Sequence, residues 1–187
     1  MAAMNKAVIP AGWLTLRPFT AADIPWVYEV SQDPVVQQFV QVPSPYLLEH
    51  ATFFVEQLAI AGWETGQRAE FLATETTTGM RLGRAGVGMR APGTAEIGYW
   101  VDPAARNRGV ATEAVRAVCR WAFTRLDLEI IEWRTEVGNV ASRRVAERAG
   151  FLVEATLRRR QVHRGIRVDV WVGSLLKEEL QEPGFRN

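Results

Sequence analysis

The stretch Arg106-Asn107-Arg108-Gly109-Val110-Ala111 decides how this chain of 187 residues is interpreted. It stands between a predicted strand at residues 94–101 and a predicted helix at about residues 111–125. A glycine-containing turn from a strand into a helix can present several backbone N–H groups to a phosphate. The turn lacks the Gly-Lys-Ser/Thr ending of a P-loop and the three glycines of a dinucleotide fingerprint. It therefore predicts a phosphate-bearing ligand of another kind.

An ordinary helix start would explain the same residues. Asp102-Pro103 matches an N-cap followed by a proline at the first helical position. The helix would then run through Gly109, at a cost of roughly 1 kcal/mol relative to alanine. A helix that begins near Arg108 avoids this cost and leaves its first N–H groups without a side-chain cap. The local sequence leaves both interpretations open.

Composition limits the class of protein. The chain is 48% hydrophobic and carries a net charge of +1, which gives no electrostatic case for nucleic acid or a membrane surface. The single cysteine, Cys119, excludes an intrachain disulfide and a cysteine-based zinc site, and we expect it in the core. His50 and His163 are isolated, so no metal site is expected. With no signal-peptide pattern and no long apolar run, we expect one cytoplasmic domain over residues 1–187.

Hydrophobic periodicity predicts an α/β fold. Residues 1–12 are expected to be irregular. Strands are predicted at residues 13–17, 70–76, 80–89, 94–101, 130–136, 151–160 and 166–174, and helices at about 20–32, 46–62, 111–125 and 140–149. Short turns join the strands between residues 70 and 101 into an antiparallel meander. The strand at 130–136 follows a helix and should lie parallel to the strand at 94–101. We expect a mixed, mostly antiparallel sheet with helices on both faces.

Several motifs in this order resemble the GNAT acetyltransferase superfamily. Arg106, Gly109 and Ala111 satisfy its Gln/Arg-x-x-Gly-x-Gly/Ala pattern. Further motifs are similar to the RimJ/RimL branch, which acetylates the N-terminal amines of ribosomal proteins: Glu96-Ile97-Gly98-Tyr99-Trp100-Val101-Asp102-Pro103, Asn139-x-x-Ser142 and Ala149-Gly150-Phe151. The resemblance covers about residues 13–176. It implies a GNAT fold, in which two parallel central strands splay apart.

The resemblance also implies acetyl-coenzyme A as donor and a primary amine as acceptor. Backbone N–H groups of residues 107–112 would hold the pyrophosphate, and the strand edge near Trp100 and Val101 would pair with the pantetheine arm. Asn139 matches a position that contacts the cofactor, and plain helix capping is a compatible alternative. The implied cofactor-binding set is Trp100, Val101, Arg106, Asn107, Arg108, Gly109, Val110, Ala111, Thr112 and Asn139.

Two residues are candidates for acid–base catalysis. Ser142 matches the serine proposed as general acid in the RimJ/RimL branch, and it is alternatively an ordinary first-turn helix residue. A thiol of pKa about 8.5 is already a fair leaving group, so a dedicated acid contributes little. Glu96 is the candidate base, acting through a water, and it is alternatively a solvated or salt-bridged glutamate. Some GNAT N-terminal acetyltransferases use a glutamate and a tyrosine at positions that are Arg134 and Ala146 here, so that pair is not carried over.

The acceptor remains open at this level. Trp100 and Trp133 are candidates to line the cleft, whereas Trp26, Trp63 and Trp121 are expected in the core. A basic hairpin is either a solvated strand face or a site for an acidic partner or cofactor phosphate; it comprises Arg158, Arg159, Arg160, Arg164 and Arg167. We expect an N-acetyltransferase acting on a protein N-terminal amine. A free small amine as acceptor, a coenzyme A-binding sensor without turnover, and a homodimer all stay open.

Overall fold

Eight strands pair into one sheet in the computed structural model, which describes residues 3–180. They are β1 (Ile9–Ala11), β2 (Leu14–Pro18), β3 (Arg68–Glu75), β4 (Arg81–Ala91), β5 (Thr94–Val101), β6 (Ile130–Glu136), β7 (Leu152–His163) and β8 (Ile166–Leu176). Their order across the sheet is β1-β2-β3-β4-β5-β6-β8-β7. The β5–β6 pair is parallel and the other neighbouring pairs are antiparallel. The predicted mixed, mostly antiparallel sheet is confirmed, including its parallel pair.

The parallel pair is joined over a short distance. Its register matches Thr94 with Ile130, Ala95 with Ile131 and Glu96 with Glu132. Beyond these residues β5 stays paired with β4, and β6 stays paired with β8. The facing edges of β5 and β6 are therefore free to part, and a wedge-shaped opening begins in the middle of the sheet.

Helices cover both faces of the sheet. They are α1 (Ile24–Val30), α2 (Pro34–Phe39), α3 (Leu48–Phe53), which continues through a π-helical segment (Phe54–Ile60) into α4 (Ala61–Thr65), α5 (Val110–Arg125) and α6 (Val140–Ala149). Phe71 and Ala73 of β3 belong to the hydrophobic cluster that contains α5, whereas Leu72 belongs to the cluster built with α1 and α3. Successive side chains of a strand point to opposite faces, so two separate cores sandwich the sheet. The helices predicted on both faces are confirmed.

Both features that the sequence offered as alternatives for the start of α5, a cap at Asp102 and a later helix start near Arg108, occur in the structure. Asp102 accepts a hydrogen bond from the Ala104 N–H at 2.9 Å and caps a short 3₁₀ turn (Pro103–Ala105). The long helix begins only at Val110, with Gly109 as its N-cap at φ +82°. A left-handed residue at this point favours glycine, because a Cβ there is strained.

The elements differ from the prediction in three places. Ile9–Ala11 is a strand in a segment expected to be irregular, because its three residues are too few for an alternation pattern. The first helix ends at Val30, and a separate helix follows because Asp33 accepts hydrogen bonds from the N–H groups of Val35 and Val36. The next helix begins later than expected, at Leu48, and its π-helical segment leaves no trace in a helical hydrophobic pattern.

A buried carboxylate links the first helix to the sheet. Asp23, with no exposed side-chain surface, lies 2.8 Å from the guanidinium groups of both Arg17 and Arg81. It also accepts a hydrogen bond from the Thr20 N–H at 2.9 Å, as in a capping box. Burial by itself would raise the pKa of Asp23, but the hydrogen bonds from the two arginines and Thr20 outweigh it and hold that pKa well below its usual range.

Candidate functional site

A cleft of about 670 Å³ lies in the opening between β5 and β6. One wall is formed by residues 96–99 of β5 and the other by residues 132–136 of β6, while Asn139 and Ser142 line it from the start of α6. Residues 39–41, at the end of α2, and residues 157, 160 and 161 of β7 line its outer side. The short parallel pairing thus produces a cavity in the middle of the sheet.

The hairpin of β7 and β8 is tied to the segment around α2 across this cleft. The Gln41 side chain donates a hydrogen bond to the Val162 carbonyl at 3.3 Å, and the Arg164 guanidinium donates one to the Gln37 carbonyl at 2.8 Å. Both bonds reach backbone carbonyls, whose positions are fixed by the chain. The outer side of the cleft is therefore bridged.

Ser142 lies in the cleft wall inside a hydrogen-bond network. Its Oγ accepts from the Trp133 Nε1–H at 3.2 Å and lies 3.0 Å from the Tyr99 hydroxyl, which donates to the Ser142 carbonyl at 2.8 Å. With the tyrosine proton committed to that carbonyl, the serine proton is the one that joins the two hydroxyl oxygens. Burial raises the pKa of Tyr99 well above its ordinary value, so its phenol stays protonated.

Glu96 lies where the parallel pairing ends. Its Oε2 is 2.8 Å from the Arg90 guanidinium and 2.8 Å from that of Arg134, and its side chain is 17% exposed. The salt-bridged state that the sequence left open is the observed state. Both guanidinium contacts use Oε2, and within residues 3–180 no hydrogen bond reaches Oε1.

The guanidinium groups of the turn before α5 are bound to carboxylates. Arg106 Nη2 lies 2.5 Å from Asp33 Oδ1, and Arg108 Nη2 lies 3.1 Å from Glu75 Oε1. Burial would raise the pKa of Asp33, but the hydrogen bond from Arg106 and those from the α2 backbone lower it on balance. These pairs hold the turn against α2 and β3, so any anion binding here depends on the backbone.

The backbone of the turn has the properties of an anion site. No side chain caps the N-terminus of α5, and a Cβ built on Gly109 would meet no atom within 4 Å. Asn107 also adopts a left-handed conformation, at φ +62°. Uncapped N–H groups at the start of a helix, next to a glycine with open space beside it, suit a phosphate, so the residues present fit the pyrophosphate expected here.

Asn139 caps α6 as expected. Its Oδ1 accepts from the Ser142 N–H at 3.1 Å, and its Nδ2 donates to Thr135 Oγ1 at 3.0 Å. The side chain also lines the cleft, so the capping role is observed and contact with a ligand remains open to it.

The tryptophans divide differently from the expectation. Trp63 is buried and packs against Trp121 at 5.5 Å between ring centroids, which confirms both as core residues. Trp133 lines the cleft but is only 1% exposed, so it is a wall of the site. Trp100 is not among the described lining residues; its ring stacks at 5.2 Å on Trp26, which is half-buried at the edge of the smaller core.

An ion pair that the sequence analysis missed lies under the cleft. Glu70 is fully buried and accepts hydrogen bonds from Arg84 Nε at 2.9 Å and from Arg84 Nη2 at 2.7 Å. In the β3–β4 register Glu70 is opposite Gly86 and Leu72 is opposite Arg84, so the two charged residues are diagonal neighbours. Two opposite charges at diagonal positions of neighbouring strands, within largely apolar stretches, were the sequence signal that could have indicated this ion pair.

Other expectations fall outside the cleft. Cys119 is fully buried in the main core, as expected, and burial raises the pKa of its thiol. The five arginines of the basic hairpin are solvent-exposed, and one of them, Arg160, lines the outer side of the cleft. Among residues 3–180, no group of three or more His, Cys, Asp or Glu side chains is placed to hold a metal ion. Within the same residues, no helix has the length and apolar character needed to span a membrane.

Comparison with known sequences gives one family. The family described as "Acetyltransferase (GNAT) domain" matches residues 14–152. An uncharacterized N-acetyltransferase of Bacillus licheniformis, p20, is 29% identical over 168 residues, which are 89% of this chain and 94% of that protein. The ribosomal-protein-serine acetyltransferase of Escherichia coli is 34% identical over 65 residues, which are 35% of this chain and 36% of that protein.

Solved structures share the fold. RimL, a ribosomal alpha-N-protein acetyltransferase in complex with coenzyme A, superposes with a TM-score of 0.82 at 21% identity, over 91% of this chain and 98% of that one. A spermidine N-acetyltransferase of Vibrio cholerae, in complex with coenzyme A and spermine, superposes with a TM-score of 0.77 at 18% identity, over 90% and 98%. Identities this low establish the common architecture and leave the acceptor undetermined.

Proposed function

Because the chain belongs to the GNAT acetyltransferase family, we propose that it transfers the acetyl group of acetyl-coenzyme A to the α-amine at a protein N-terminus. The observation that carries the proposal is the cleft between β5 and β6, which is bridged on its outer side by the Gln41 and Arg164 hydrogen bonds. A bridged cleft admits the end of a chain more readily than a side chain on a folded surface. The similarity to the E. coli ribosomal-protein-serine acetyltransferase supports the same acceptor class.

The donor half of the site is formed by β5 and the turn before α5. The uncapped N–H groups of residues 110–112 hold the pyrophosphate, and Gly109 keeps the space in front of them open. The β5 edge beyond Glu96 pairs with the pantetheine arm as an added strand would. A backbone N–H near Val101 stabilises the charge that develops on the acetyl oxygen. The complexes of RimL and of the spermidine acetyltransferase with coenzyme A support this donor.

Charge in the acceptor half favours a peptide end over a polyamine. Four carboxylates line the cleft within the described residues: Glu96, Glu132, Glu136 and Glu154. Three of them are paired with basic side chains: Glu96 with Arg90 and Arg134, Glu132 with Arg134, and Glu136 with His163. Glu154 accepts a hydrogen bond from the neutral Ser174 hydroxyl. A polyamine would have to displace basic partners from three of these carboxylates, whereas a peptide terminus brings a single amine.

The chemistry assigned to the chain is a direct transfer. Glu96 takes the amine proton through a water at Oε1 as the nitrogen attacks the acetyl carbon and the carbon–sulfur bond breaks. Ser142 turns its hydroxyl proton from Tyr99 to the departing thiolate, and it is reprotonated from solvent after the thiol has left. Because a thiolate leaves fairly well unaided, positioning of the amine against the thioester contributes much of the rate.

Release of free thiol tests the proposal. The protein is mixed with acetyl-coenzyme A and one of three acceptors: a peptide that begins with Ser or Ala, the same peptide with a blocked N-terminus, or a free small amine. Turnover with the free-ended peptide alone is the expected result. Turnover with small amines alone would refute the acceptor class, and coenzyme A binding without thiol release on any acceptor would make the chain a sensor. Failure to bind coenzyme A would refute the whole assignment.

A further inference from the structure

We propose that Arg84 forms a carbonyl-binding subsite in the acceptor half of the cleft, an inference that rests on the proposed function. Its guanidinium donates a hydrogen bond from Nη1 to the first carbonyl oxygen of the acceptor. The substrates selected in this way are amines that stand next to a carbonyl group, as in the N-terminal residue of a peptide. Polyamines and simple alkyl amines lack this oxygen.

The guanidinium is oriented from behind. Glu70 accepts from Nε at 2.9 Å and from Nη2 at 2.7 Å, and within residues 3–180 the hydrogen bonds of Arg84 leave Nη1 unpaired. Arg84 lines the cleft, with 11% of its side chain exposed. The ring of Phe54 lies 5.7 Å from the guanidinium carbon and restricts it further. The hydrogen bonds to Glu70 on one edge of the planar guanidinium thus hold Nη1, on its other edge, at the cleft surface.

Two glycines make room for this arrangement. A Cβ on Gly98 would lie 2.9 Å from Arg84 Nη1, and a Cβ on Gly86 would overlap Glu70 Oε2. A buried ion pair contributes little net stability compared with apolar residues of the same volume. A gain in stability therefore does not explain why two strand glycines and a buried carboxylate occur at these positions. Their role is to orient Nη1 at the cleft.

The position of Nη1 suits an aminoacyl group. Gly98, which Arg84 Nη1 approaches, follows Glu96 by two residues, so both residues lie on the same face of β5 with their Cα atoms about 6.6 Å apart. That spacing accommodates an amine bridged to Glu96 by a water, with its neighbouring carbonyl at Arg84. The other cleft guanidiniums near Glu96, those of Arg90 and Arg134, are already paired with its carboxylate.

A matched pair of variants tests the subsite. Arg84→Gln removes the donor at the cleft, whereas Arg68→Gln removes the other arginine bound to Glu70, which does not line the cleft. Each is assayed with a peptide beginning with Ala and with the analogue whose first peptide carbonyl is reduced to a methylene. For Arg84→Gln, kcat/KM should fall roughly 10- to 100-fold with the peptide, the range for a lost hydrogen bond to a charged group. It should change little with the reduced analogue, and Arg68→Gln should keep the wild-type preference.

Equal losses on both acceptors, or the same loss of preference in Arg68→Gln, would overturn the inference. If Arg84→Gln does not fold, the double variant Glu70→Gln/Arg84→Gln removes both buried charges and gives the same prediction. Calorimetric titration of the coenzyme A-bound protein with each of the two acceptors measures their binding at the subsite without turnover. A wild type that binds the peptide more tightly than its reduced analogue, yet releases no thiol, would refute the proposed function and support the subsite; equal binding would refute the subsite.

Discussion

Replacing Gly109 by alanine separates the conformational role of this glycine from its role at the ligand. The residue has φ +82° and a Cβ there meets nothing within 4 Å, so the variant suffers backbone strain without a clash. That strain lowers the free energy of unfolding by about 1–2 kcal/mol. The added methyl group stands in the space in front of the α5 N-terminus. Separately from this loss of stability, losing one charge-assisted hydrogen bond to the pyrophosphate weakens coenzyme A binding by about 1.5–3 kcal/mol, or roughly 10- to 100-fold.

Gly165 supplies the matched control, because it has φ +76° and its Cβ would also meet nothing within 4 Å. It lies between β7 and β8, away from the turn before α5. Gly165→Ala should lose similar stability and keep wild-type affinity for coenzyme A. Calorimetric titration measures the affinity, and thermal unfolding measures the stability. Coenzyme A at one hundred times its Kd should stabilise the wild type by about 2.7 kcal/mol, equivalent to about 5–11 °C. Equal affinities in the two variants would refute the placement of the pyrophosphate.

Three further outcomes are expected. Ser142→Ala should lower kcat while coenzyme A affinity is kept, and should lower the free energy of unfolding by about 1–3 kcal/mol because Trp133 Nε1 loses its acceptor; an unchanged kcat across the pH range would exclude Ser142 as the acid. Because the pKa of Asp23 is depressed in the folded protein, its ionised carboxylate adds stability, which is complete above the unfolded pKa of about 3.9 and is lost as the pH falls toward the folded value. Denaturant unfolding should therefore show that Asp23→Asn is less stable than the wild type near pH 7, and that its stability depends less on pH in acid. Cys119 should resist a thiol reagent such as DTNB in the native protein and react after unfolding, since it is buried and its pKa is raised; rapid native reaction would contradict its place in the core.

Much of the fold follows from local patterns. β5 and β6 occur at the predicted residues, because each is bounded by a clear turn and has an apolar alternation long enough to read. Gly150 ends α6 in the left-handed conformation that its sequence position suggested. β1 could not be predicted in this way, because three residues carry no period and only pairing with β2 defines the strand.

The candidate site is less accessible to sequence reasoning, because its contacts join residues that are distant in the chain. Ser142 was found by its motif, but its contact with Tyr99 spans 43 residues and depends on how α6 packs near β5. Arg106 was expected at the anion site, and its guanidinium instead reaches Asp33 across 73 residues. The pattern of the turn indicates the ligand type, whereas only the tertiary structure shows which groups are free to bind it.

The short β5–β6 register has a geometric consequence. Residues 94–96 and 130–132 form the seam between a group of five strands and a group of three, and beyond it the two groups are joined by side-chain contacts such as those of Glu96 with Arg134 and of Tyr99 with Ser142. In the proposed reaction, the edge of β5 that β6 leaves unpaired would receive the donor, and the facing wall of β6 would meet the acceptor. Three residue pairs thus set the point along the sheet from which both substrates can share one gap.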